Sequence, residues 1–244
     1  MTAVLRSELL KLRTTRTIGG ITIGLLGLVL LLTLLGGLVQ KEADLLDRKN
    51  QFGLLATGSL AVAFAAIVGV MAVTNEFRHG TIRPTLLAAP KRTQLVVAKV
   101  VASALVGLVL GAVSIGLSFT LGRLILHWRG IPFLLDRNDV ALVLAGGVGA
   151  SALWAAFGAG VGAAARNQVG AIVGLLVWLL VAENIIFGLL PSYGRYLPGQ
   201  AANALTQIDT RHQLAVLPGT LLFLAYVLAV GAAGAFVTER RDVS

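Results

Sequence analysis

The 244-residue chain contains no cysteine, which excludes disulfides, thiolate metal sites and cysteine nucleophiles. Charge is scarce: Asp, Glu, Lys and Arg make up 13% of the residues, against about a quarter in an ordinary globular domain. With 57% hydrophobic residues and a mean hydropathy of +0.87, a soluble domain of this length could not hide its apolar surface. No GxxxxGK[ST] occurs, so the chain has no P-loop for nucleotide. The three histidines, His79, His127 and His212, fall far apart in predicted loops. With no HExxH or other ligand cluster, no metal site is expected. Ser103, Ser114, Ser118 and Ser151 lie in apolar runs without a histidine base, which argues against an intramembrane serine protease.

What is present is a series of apolar runs near 20 residues, the length a helix needs to cross a hydrocarbon core of roughly 30 Å. The ~10-residue alternating segments of a transmembrane barrel are missing. The reading is an all-α integral membrane protein forming one transmembrane domain. Its spans are expected at 18–39, 52–74, 95–121, 140–165, 169–190 and 214–237, with Asp139 as the cap of the fourth. The net charge of +9 comes from Lys and Arg flanking these runs, so it reads as membrane-boundary charge and not as a nucleic-acid footprint.

Six spans put both termini on one side. That side would carry twelve Lys and Arg against eight on the other, which places both termini in the cytoplasm. Trp128, Tyr193 and Tyr196 then fall at the outer interface. Residues 1–17 set Val4, Leu5, Leu9 and Leu12 against Arg6, Lys11, Arg13 and Arg16. The pattern fits an amphipathic interfacial helix and equally a basic flank that anchors the first span. The first apolar run is too long for a cleavable signal peptide, and no small-x-small site precedes Gln40.

Small residues four apart (Gly158 with Gly162, Gly107 with Gly111, Gly146 with Ala150) predict close helix packing, most crowded along the fourth span. Glu183 is the one ionisable residue well inside a predicted span, followed by Asn184. The pair either lines a substrate path or outer gate, or is satisfied by bonding to the segment after Pro191 or by reaching the surface.

The most informative stretch is Asn75–Lys99, a long polar interruption carrying Arg78, Arg83, Lys91, Arg92 and Lys99. Gly80 permits a turn, Thr81 is a fair N-cap, Pro84 is tolerable in a first turn, and Pro90 stops the helix. A short cytoplasmic helix results within 75–94. On physics alone it is a docking surface or a loop that fixes topology.

The pattern ExRxGTxRxxLxxxPxxR followed by Lys99 resembles the cytoplasmic segment of ABC-2 type permeases, the membrane subunits of one class of bacterial ABC exporters. The residues that carry it are Glu76, Arg78, Gly80, Thr81, Arg83, Leu87, Pro90, Arg92 and Lys99. The basic N-terminal helix, the six spans and the ENIIFGLLPSYGRYLPGQ region extend the likeness over most of the chain. The resemblance implies a coupling helix that inserts into a separate ATP-binding subunit, with Glu76 and Arg78 in charge-assisted contacts and Leu86 and Leu87 filling a groove. It implies no enzyme activity and no cofactor on this chain, with ATP and Mg on the partner. A second permease copy or a paralogous permease completes the transporter in the bacterial cytoplasmic membrane, and residues 191–213 form short external, re-entrant helices. Expected cargo is hydrophobic or amphipathic (a drug, antimicrobial peptide or lipid), moved by alternating access. The alternatives are a sodium-exporting ABC permease and a non-ABC secondary transporter or structural subunit.

Overall fold

The computed structural model describes residues 2–78, 92–165, 167–206 and 213–240. Among these there is no strand, and six helices are long and apolar enough to cross a membrane. An N-terminal helix, Thr2–Thr14, leads into the first span, Arg16–Val39. The second span is segmented into Arg48–Leu55, a 3-10 stretch at Ala56–Leu60, and Ala61–Arg78. The third, Arg92–Trp128, is unbroken. The fourth comprises Arg137–Ala141, a π-helical turn at Leu142–Gly146, and Gly147–Ala165. The fifth runs Gln168–Val177, then a π-turn at Trp178–Ala182, then Glu183–Leu189. Two short helices, Pro191–Gly194 and Pro198–Asn203, precede the sixth, Val216–Arg240.

The third helix has 37 residues and so measures ~55 Å at 1.5 Å per residue, well beyond the ~30 Å hydrocarbon core. Its uncharged stretch, residues 100–122, is ~34 Å long by the same rise. Lys99 therefore sits at the membrane boundary, and the turns before it project beyond the hydrocarbon.

The Gly- and Ala-rich fourth span forms the centre, packed on the second, third and sixth. A methyl added at Gly69 would collide with the Ala155 carbonyl, and one at Gly158 with that of Ala66. At Gly162 the added carbon would lie 2.7 Å from Val70 O, and at Gly107 2.5 Å from Ser151 O. Backbones touch because these positions have no side chain, which is how membrane helices gain contact without a hydrophobic driving force between them. Trp154, Phe157 and Phe223 close the joint to the sixth span, with ring centroids 4.9 to 5.8 Å apart. The glycines of the predicted small-residue pairs all fall at close contacts, including Gly146, which abuts the Leu205 carbonyl.

At the opposite end from Lys99, Arg48 grips Asp139 through two 2.7 Å hydrogen bonds and reaches Asp136 at 3.3 Å. The helix cap lies on Asp136, three residues before the expected Asp139. Asp139 instead completes a capping box from the N3 position. Gln51, fully buried, binds the Leu45 and Pro132 carbonyls at 2.8 Å and accepts from the Leu134 N–H at 3.0 Å, fixing the connecting loops.

Candidate functional site

Glu8, Lys11 and Leu12 share one face of the N-terminal helix, at i, i+3 and i+4. That face lies on the junction between the end of the second span, which carries Glu76, and the start of the third, which carries Lys99. The four charges form a closed ring. Lys99 Nζ donates to Glu8 Oε2 at 2.7 Å and to Glu76 Oε1 at 2.8 Å. Lys11 Nζ donates to Glu8 Oε1 at 2.7 Å and to Glu76 Oε1 at 2.8 Å. Lys99 also donates to the Ala72 carbonyl at 3.3 Å.

Three members are buried: Lys99 is 2% exposed, Glu8 3% and Glu76 7%. Lys11, with 46% of its side chain exposed, is the member open to solvent. Burial pulls the Lys11 ammonium pKa down, but its hydrogen bonds to Glu76 and then Glu8 outweigh that and hold it above the ordinary 10.5. Two cations and two anions leave the ring neutral, which is what makes burial of Glu8, Glu76 and Lys99 tolerable.

The ring revises one expectation. Glu76 does not present its carboxylate outward to a partner, because Lys99 and Lys11 draw it into the chain. Arg78, one residue before the undescribed segment, is exposed. Gly80, Thr81, Arg83, Leu86, Leu87 and Pro90 lie outside the described residues, as does the Arg92 side chain, although Arg92 opens the third helix. Sequence reasoning missed Glu8 and Lys11. The available signal was that Glu8 is the only acidic residue before Glu42, set on the apolar face of a basic helix.

Glu183 lies at a second polar site. It is fully buried; its Oε2 accepts from the Gln200 backbone N–H at 3.1 Å, and the Trp178 indole donates to Oε1. The carboxylate thus braces the first turn of Pro198–Asn203, where a methyl on Gly199 would strike it. Asn184 donates to the Leu179 and Leu180 carbonyls at 3.2 and 3.1 Å, in the π-turn where the helical ladder is loosened. Gln200 Nε2 reaches Asn184 Oδ1 at 3.5 Å. Of the two readings of this pair, bonding to the segment after Pro191 is the one the geometry matches. Beside it, a cleft of about 550 Å³ is lined by polar Thr57, Ser59, Asn203 and Thr206 and by apolar Leu32 and Leu179. Among the described residues no His, Cys, Asp or Glu cluster could hold a metal ion.

The described residues form a multi-pass helical bundle whose second and third spans and N-terminal helix are locked together by four charges. The chain belongs to the ABC-2 transporter family: the model described as ABC-2 family transporter protein matches residues 4–177. None of the curated proteins compared with it matches. Membership makes it a transporter membrane subunit that is not itself catalytic, and implies an ABC ATP-binding partner. The matched region contains the charged ring and ends before the Glu183 site.

Proposed function

We propose that this chain is the permease subunit of an ATP-driven exporter in the bacterial cytoplasmic membrane, with both termini cytoplasmic. A separate ATP-binding subunit carries ATP and Mg and hydrolyses the nucleotide. A second permease copy, identical or paralogous, completes the transporter. The observation that carries this reading is the ring itself. Glu76 and Lys99 stand on either side of the 79–91 segment and are bonded to each other and to the N-terminal helix. A push on that segment is delivered to the second span, the third span and the N-terminal helix together, as alternating access requires of a coupling element.

In this role residues 80–90 dock on the ATPase, with Leu86 and Leu87 in its groove and Arg78, Arg83 and Arg92 in charge-assisted contacts. Glu76 acts from behind, positioning the segment's stem. The cargo is hydrophobic or amphipathic, consistent with the mixed lining of the cleft between the second and fifth spans. The test is ATP-dependent uptake of a hydrophobic fluorescent dye into inverted membrane vesicles that hold the chain with its ATPase. Uptake is expected, and vesicles without the permease should show none. Equal uptake with and without the permease would overturn the reading.

A further inference from the structure

Beside the charged ring, the N-terminal helix, the first span and the third span enclose a cleft of about 650 Å³ that opens sideways. Its walls are apolar, with Leu9 from the N-terminal helix, Ile23 from the first span, and Leu105 and Val109 from the third. Ile23 is 74% exposed and Val109 58%, so these side chains face out of the protein. Depth follows from the helical rise. Leu105 and Val109 lie ~9 and ~15 Å beyond Lys99, inside the uncharged stretch of the third helix and so at acyl-chain depth.

The charged residue that lines the cleft is basic. Arg13 lines the cleft and makes no hydrogen bond or ion pair among the described residues. Arg6 lies two turns earlier on the same helix face, and Arg16 opens the first span. The two acids of the adjoining ring, Glu8 and Glu76, are taken up by Lys99 and Lys11 and do not line the cleft. An apolar recess at acyl depth, with an unpaired guanidinium at headgroup level, has the chemistry of a phospholipid seat.

We propose that this cleft binds an anionic phospholipid, with one acyl chain between the first and third spans and its phosphate on Arg13. The cationic mouth selects for net negative headgroups, because each basic group near the surface favours them. The apolar walls demand the chain. The bound lipid seats the N-terminal helix from its outer side, as the charged ring does from its inner side. The site stands independently of what the transporter carries.

The test uses the full chain purified in mild detergent and titrated with phosphatidylglycerol or phosphatidylcholine, bound lipid being counted by native mass spectrometry. Wild type is expected to retain phosphatidylglycerol in preference. Arg13→Gln should weaken phosphatidylglycerol about fivefold and narrow the preference. Gly19 lines the cleft, and a Cβ added there meets nothing within 4 Å, so Gly19→Phe should reduce both lipids without lowering the thermal midpoint. Glycerol phosphate, a headgroup without chains, should displace nothing. Equal binding of the two lipids by wild type, or undiminished phosphatidylglycerol in both variants, would overturn the proposal. Displacement by glycerol phosphate would reassign the cleft to a free phosphate, and displacement by the transported dye would reassign it to cargo; either contradicts the lipid seat.

Discussion

Lys99 and Glu76 meet at 2.8 Å across 23 residues of chain, and the segment between them lies within the region that matches the family. Their pairing joins the two helices from which that segment leaves and returns, and Glu8 fastens the N-terminal helix to the same point at 2.7 Å. In the proposed transporter this shared point is the mechanical root of coupling, built from two lysines and two glutamates.

Removing Lys99 tests that root. Lys99→Met leaves Glu8 and Glu76 buried with only Lys11 between them, and should cost ~3–5 kcal/mol, read as a lowered thermal midpoint in detergent. Adding Glu76→Gln removes one of the stranded charges, so the double variant should be more stable than the sum of the single losses predicts. Strict additivity would show that the pair is not coupled.

Alkaline pH tests the exposed corner. The Lys11 pKa is raised in the folded chain, above its ordinary 10.5, so its stabilisation is fully present below that value and is lost as pH rises through the raised one. The stability gap between wild type and Lys11→Met should hold constant through neutral pH and close only in strong alkali. A gap that closes near neutrality would contradict the assignment.

At Glu183 the account predicts a brace. Glu183→Leu leaves the Gln200 N–H and the Trp178 indole without their acceptor, at ~1–3 kcal/mol for each stranded donor. Glu183→Gln keeps one acceptor and should retain transport with a smaller stability loss. Normal stability with altered cargo selectivity in Glu183→Gln would make this residue part of the substrate path instead.

Glycine contacts give a paired comparison. Gly158→Ala drives a methyl into the Ala66 carbonyl and should destabilise by ~1–3 kcal/mol. Gly27→Ala, where an added carbon meets nothing within 4 Å, should be neutral or stabilising by up to ~1 kcal/mol. Midpoints of thermal unfolding in one detergent decide between them.

Much of this was readable in the chain because membrane helices are written locally. Twenty apolar residues make a span whatever else the chain does, and Gly107, Gly158 and Gly162 announce close contacts by lacking a side chain. The ring was not readable, because it depends on distance in sequence. Lys99 is one of five basic residues of a polar stretch until Glu8, 91 residues away, is found beside it. Glu76 looked available to a partner for the same reason: no local pattern reveals that two lysines claim it. The cap at Asp136 was missed because two aspartates three apart both satisfy the local rule, and only the pairing of Asp139 with Arg48 sorts them.

The central claim is that residues 79–91 engage an ATP-binding subunit from a stem locked by the ring. Affinity purification of the full chain co-expressed with the ATPase tests it most directly, comparing wild type with Leu86→Asp/Leu87→Asp and with Lys99→Met. Wild type should retain the ATPase. The double aspartate variant should lose it while staying monodisperse, and Lys99→Met should hold it weakly. No ATPase retained by wild type, or equal retention by all three, would contradict the account.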